Sequence, residues 1–200
     1  NEEEMLNHLK LIPCVMEGQQ REVYDKIAET GFGAFENEGI SISDVVFPGD
    51  PESNYQSRMS NEGFFNNFKK SVSGGKVKIT PTTDQAKEML KISEIGNYST
   101  KMLSILKSIS ETKTDGIVFV YSRYVWTGVV MLGMLLEMEG FTNQNGNLLS
   151  GKHGQAERGD RAKYMIISGD QELSRNTYIN YIKNEAKNKD GSRLKVILGS

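Results

Sequence analysis

The spacing of apolar positions along this chain changes near residue 116. Before that point the pattern is helical in short pieces separated by polar stretches. In residues 19–29, Val23, Ile27 and the ring of Tyr24 share one face, and Gly31-Phe32-Gly33 is expected to end that helix. Helical spacing returns over residues 83–92, and again over residues 98–109, where Met102, Ile105, Leu106 and Ile109 form a stripe. Residues 7–16, with Leu9, Leu11, Ile12, Cys14 and Val15, predict a strand. Residues 34–84 read mostly as loop, broken by the extended segment Val45-Val46-Phe47-Pro48. Ser71-Val72-Ser73-Gly74-Gly75 is expected to be flexible and to lead into Val77-Lys78-Ile79.

From Gly116 onward the runs are continuous rather than periodic. Residues 117–121 are Ile-Val-Phe-Val-Tyr, as expected of a strand buried on both faces of a parallel sheet. A helix over about residues 124–139 follows, with Gly140 at its left-handed C-cap. Residues 163–167 and 194–198 predict two further buried strands, with a helix capped by Ser174 between them. Strand–helix alternation of this kind predicts an α/β fold with a parallel sheet. Residues 142–161 are polar, rich in Gly and Asn, and long enough to be an insertion.

Composition narrows the function classes. One cysteine, Cys14, excludes an internal disulfide and fits a reducing compartment, so a cytoplasmic setting is expected. The apolar stretch over residues 125–136 is too short for a bilayer and is interrupted by Thr127, Gly128 and Gly133, so no membrane partner is expected. His8, His153 and Cys14 lack metal-ligand spacing, and no metal site is assigned. Net charge is −2, which gives no bulk electrostatic case for nucleic acid. The charge is nonetheless uneven. Residues 151–200 hold ten basic side chains against six acidic, an excess of four, which leaves the rest of the chain at −6.

A parallel α/β sheet carries its ligand loops at the carboxyl ends of the strands. Here those loops are Ser122-Arg123, Ser168-Gly169-Asp170 and Gly199-Ser200. Small residues at such ends let backbone N–H groups approach a phosphate. Ser122, Arg123, Ser168, Gly169 and Gly199 are therefore the candidate nucleic-acid contacts. Arg175 is the candidate brace of the second loop, and no residue is assigned a catalytic role. Trp126 is considered as a base-stacking platform, and Met131, Met134 and Met138 as core.

These residues carry a family resemblance. Residues 116–124, Gly-Ile-Val-Phe-Val-Tyr-Ser-Arg-Tyr, resemble motif IV of superfamily 2 helicases. Val196-Ile197-Leu198-Gly199-Ser200 looks like the opening of motif V. Ile167-Ser168-Gly169-Asp170 with Arg175 resembles the strand–loop–helix between them. Tyr98-Ser99-Thr100-Lys101 resembles the Tyr-Ser-Pro-Lys signature of helicase-like ATPases of large DNA viruses, with Thr100 in place of Pro. Met16-Glu17-Gly18-Gln19-Gln20 with Tyr24, and residues 45–48, resemble the inter-lobe segment of that branch, which includes poxvirus nucleoside triphosphatase I and the early transcription factor large subunit, and of Swi2/Snf2 motors.

The resemblance implies a RecA-like C-terminal lobe over residues 96–200, reaching motif V, preceded by a mixed, loop-rich inter-lobe segment over residues 1–95. It implies an ATP-dependent helicase or translocase whose other lobe supplies the ATP and Mg²⁺ site. The DNA or RNA backbone, that first lobe and a viral RNA polymerase are the implied partners, in infected-cell cytoplasm or virion. Ser73-Gly74-Gly75-Lys76-Val77 is not a P-loop, no Asp-Glu pair follows a strand, and no Gln-x-x-Gly-Arg-x-x-Arg segment occurs. The chain alone, expected to be a piece of a longer polypeptide, is therefore expected not to hydrolyse ATP. The rival expectation is a non-catalytic helicase-like module that docks on nucleic acid or polymerase.

Overall fold

The computed structural model describes residues 10–29, 36–50, 55–111, 116–150, 163–174, 188 and 190–200. Its centre is a four-stranded, all-parallel sheet of β3 (Val118–Tyr121), β6 (Leu194–Gly199), β5 (Lys163–Ile167) and β4 (Thr142–Asn143), in that spatial order. The described helices are α1 (Gly18–Glu29), α2 (Glu36–Asp44), α3 (Ser60–Asn67), α4 (Asp84–Glu88), α5 (Thr100–Glu111) and α6 (Met131–Met138), of which α6 packs on the sheet, and a hairpin of β1 (Phe68–Ser73) and β2 (Lys76–Pro81) forms a second, two-stranded sheet. The parallel α/β architecture is the expected one, and the mixed composition is consistent with a RecA-like lobe.

Helix α6 occupies the middle of the fold. Every residue from Met131 to Glu137 is buried, which is why its sequence is apolar all round. The chain's own elements cover all of its faces. Residues 125–130 ahead of it wind as a single π-type turn, and Gly140 (φ 89°) ends it. There the Phe141 N–H donates to the Leu136 carbonyl and the Gly140 N–H to that of Glu137, a paired closure that a left-handed glycine permits.

The buried face of the sheet is built from Val196, Leu198, Tyr164 and Ile166, with Val118 and Val120 partly buried beside them. One continuous hydrophobic core runs from Val23 and Ile42 through Phe47, Phe64 and Phe68 to Leu198. Four rings, Phe47, Phe64, Phe68 and Trp126, meet edge-on or tilted, with centroids 5.2–6.3 Å apart.

Several expectations are corrected. Strand β3 is an edge strand, and Phe119 and Tyr121 on its outer face are 63% and 68% exposed. A continuous apolar run does not say which strand is central; here the interior positions belong to β6 and β5, each hydrogen-bonded on both sides. Of the strand expected over residues 7–16, the described part, residues 10–16, forms no strand: among the described residues no strand pairs with it, and Leu11 and Val15 are exposed. The segment read as loop over residues 34–84 is largely structured. The low intrinsic helix preference of Ser60–Asn67 is overridden by burial of Phe64 and Asn67. The stretch read as flexible is a paired strand, closed by Gly74 (φ 57°) and Gly75 (φ 69°) in the two-residue turn that suits strand twist. The helix expected over residues 19–29 is present as α1, while its expected stop at Gly31-Phe32-Gly33, the helix after Ser174 and residues 151–162 fall outside the described residues.

Candidate nucleic-acid interface

The three strand ends lie side by side. Tyr121 and Ile167 each pair with Gly199. One residue further along, the Ser122 N–H donates to the Gly199 carbonyl and the Ser200 N–H to that of Ile167, both at 2.9 Å. Ser122, Ser168 and Ser200 therefore leave the sheet along one edge.

The local chemistry differs from loop to loop. Ser122 Oγ accepts the Tyr124 N–H at 3.2 Å, which turns the chain into the following helix. That turn also explains Gly128, where an added Cβ would sit 2.1 Å from Ser122 Oγ. Arg123 is exposed, its guanidinium 6.0 Å from the Tyr124 ring centre. Ser168 Oγ accepts the Asp170 N–H, and Asp170 in turn accepts N–H groups from Glu172, Leu173 and Ser174. Gly169 is exposed with open space on its Cβ side. Gly199 is buried, and an added Cβ would meet the Phe119 ring at 2.7 Å. Its smallness thus serves ring packing as well as any approach of a ligand. Arg175 lies outside the described residues.

Upstream motifs converge on the same edge. The Gln19 amide donates to the Tyr98 hydroxyl at 3.1 Å, and the Gln20 amide to the Ile42 carbonyl at 2.7 Å. Gln20 Oε1 accepts the Thr100 N–H. Proline has no N–H to give there, so Thr100 and Gln20 suit one another. Ser99 caps α5 by accepting the Met102 N–H, while its hydroxyl donates to the Asp44 carbonyl. Lys101 pairs with Asp44 at 2.5 Å. A cleft of about 230 Å³ brings Asp44 and Lys101 on one side against Ser122, Arg123 and Tyr124 on the other, over a floor that includes Met102, Ile105 and Leu132. A second, more open hollow of about 430 Å³ shares Arg123 and Tyr124. Arg123 and the Lys101–Asp44 ion pair thus share one opening.

Sequence reasoning missed three parts of this arrangement. Arg58 is 1% exposed; its Nη2 donates to Gln19 Oε1 at 2.6 Å and its Nε to the Phe47 carbonyl at 3.1 Å, locking the upstream motifs together. Nothing in its loop-like surroundings signals that. Asp44 was also missed. Glu137 did carry a signal, as the sole charge within residues 125–138. Its carboxylate accepts the Leu148 and Leu149 N–H groups at 2.6 and 2.8 Å and the Tyr164 hydroxyl at 2.7 Å, and Asn143 supports that hydroxyl. Burial raises its pKa to about 7 against the opposing pull of these bonds, and burial pushes the Tyr164 hydroxyl well up, so it remains a donor.

Trp126 is not a free platform: Phe64 and Phe65 flank it, and Lys70 Nζ sits 4.9 Å from its ring centre. Among the described residues, no group of three His, Cys, Asp or Glu side chains could hold a metal ion, and no helix is long and apolar enough to cross a membrane.

Compared with known proteins, the chain is 32% identical over 209 aligned positions to a protein of Acanthamoeba polyphaga mimivirus named "Putative ATP-dependent RNA helicase". The alignment takes in 97% of this chain. This chain is a homologue of one part of that mimivirus protein. It spans 30% of that relative's length. No protein-family model and no solved structure matches it.

Proposed function

We propose that this chain is the C-terminal motor lobe, residues 96–200, with its inter-lobe segment, residues 1–95, of a superfamily 2 nucleic-acid translocase, and that its strand-end edge tracks the nucleic-acid backbone. One observation carries the reading: the Ser122-Arg123 loop and Lys101 open onto the same cleft, at the carboxyl edge of a parallel sheet where Ser122 and Ser200 continue the strand register. Serine hydroxyls and the exposed Arg123 guanidinium suit phosphate contacts that hold a strand without reading its bases. Homology to a protein named as a helicase supports the same assignment.

The residues present do not fit an ATP site of their own. The chain contains no Gly-x-x-x-x-Gly-Lys-Ser/Thr loop, and the described residues offer no acidic cluster for Mg²⁺. On this reading ATP and Mg²⁺ are held by another lobe of a longer polypeptide, and a viral RNA polymerase is a partner of the whole. Closure between lobes would then move this edge along the strand.

The test is the salt dependence of single-strand binding. Arg123→Ala is expected to weaken binding alike for all base sequences and to flatten the log–log salt slope by about 0.7, one phosphate contact's share. Its melting temperature is expected to stay at the wild-type value, since Arg123 is exposed. Fluorescence anisotropy at several salt concentrations, with a melting curve on the same samples, measures both. An unchanged slope in a folded variant contradicts the reading.

A further inference from the structure

The β1–β2 hairpin is not accounted for by the strand-end edge. Residues 68–81 hold Lys69, Lys70, Lys76 and Lys78 and no acidic residue, in a chain whose net charge is negative. Pairing sorts these lysines by face. Phe68 opposes Pro81, Lys70 opposes Ile79 and Val72 opposes Val77, and this face carries the buried Phe68, Val77 and Ile79. Lys69 with Thr80, Ser71 with Lys78, and Ser73 with Lys76 make the other face. That face is lysine and hydroxyl only. Lys76 and Lys78 are two residues apart on one strand, about 7 Å.

The hairpin is held firmly. Its Ile79 N–H donates to the Leu148 carbonyl, and the Ser150 N–H donates to that of Ile79. Glu137 fixes the same Leu148–Leu149 segment from beneath. Lys70 is committed to Glu172 and to the Trp126 ring, on the core-facing side. Lys78 donates to the Asn147 carbonyl. Lys69 and Lys76 are exposed, and among the described residues neither forms an ion pair.

From this face we infer a second, sequence-blind contact with the phosphate backbone of a nucleic-acid strand, made by Lys69 and Lys76 and aided by the Ser71, Ser73 and Thr80 hydroxyls. A polyanion is the occupant that fits cations without a single acid among them, on a rigid two-stranded ribbon whose outer face offers no apolar anchor. Hydroxyls interleaved with lysines suit phosphate oxygens, which accept from both. The contact goes beyond the strand-end reading, and either can fail without the other.

The experiment measures anisotropy of labelled oligothymidylate and oligouridylate with the 200-residue chain across salt concentrations. Lys69→Gln with Lys76→Gln is expected to flatten the slope by about 1.4 for both probes, so a fourfold rise in salt costs wild type about sevenfold more affinity than the variant. Lys69→Arg with Lys76→Arg is expected to retain the wild-type slope. Should the paired Gln variant fail to fold, each single Gln variant decides, with a loss of about 0.7 apiece. An unchanged slope in folded protein overturns the inference. So does an equal loss of affinity for polyglutamate, which would assign the face to an acidic protein. Arg123→Ala measured in parallel separates the two surfaces: a flattened hairpin slope beside an unaltered Arg123 slope sinks the strand-end reading alone.

Discussion

Glu137→Ala is expected to destabilise the fold by about 3–5 kcal/mol, because it strips the partner from several buried donors at once. The Leu148 and Leu149 N–H groups and the Tyr164 hydroxyl all converge on this carboxylate, which is fully buried. Each orphaned donor costs about 1–3 kcal/mol, reduced where a water can enter the space left behind. In a chain of this length that corresponds to a fall in Tm of roughly 6–20 °C. Glu137→Gln is the informative companion. It keeps the shape and one acceptor oxygen but turns an NH₂ toward a donor, so an intermediate loss of about 1–3 kcal/mol is expected.

The same carboxyl sets a pH dependence with a definite sign. Burial disfavours its anion and raises its pKa from 4.5 to about 7 in the folded state. The folded protein therefore holds this proton more tightly than the unfolded chain does. The resulting stabilisation is complete below pH 4.5 and is lost as the pH rises through about 7, a change of about 3 kcal/mol. Urea titrations at a series of pH values should show that decline in wild type and its absence in Glu137→Gln. A Glu137→Gln protein with the full wild-type pH profile would assign the titration to another group.

Phe64→Ala is the second large effect. Phe64 is fully buried, with Phe47, Phe65, Phe68 and Trp126 around it at centroid distances of 5.2–6.0 Å. Loss of the ring is expected to cost about 3–5 kcal/mol, from transfer and the cavity together. Phe119→Ala is the contrast. At 63% exposed on the edge strand, it is expected to stay within about 1 kcal/mol of wild type. Melting curves of the two variants should differ widely. Equal shifts would mean that the core is not centred where the rings are.

That pair of phenylalanines also marks where sequence and structure part. The parallel α/β fold was legible because residues 163–167 and 194–198 are apolar runs too short for helices, set in alternation with helical stretches. Gly140 and the buried α6 were legible from cap chemistry and all-round apolarity. The edge position of β3 was not, since pairing order depends on contacts far apart in sequence. The β1–β2 hairpin and α3 were hidden for another reason. They are short, rich in Ser, Asn and Gly, and depend on a handful of phenylalanines scattered through residues 47–68. At the candidate site, the register of Ser122, Gly199 and Ser168 followed from topology. The Lys101–Asp44 pair and the buried Arg58 did not, because each joins segments tens of residues apart.

The strand-end claim is most directly tested by titrating the isotope-labelled chain with a short single-stranded oligonucleotide at low salt and following its amide resonances. The account predicts that Ser122, Arg123, Ser168, Gly169 and Ser200 shift together, with one apparent affinity. It also predicts that Gly116, Gly191 and Lys195, at the opposite end of the same strands, remain in place. Shifts confined to that opposite end, with the strand-end amides unmoved, would contradict it.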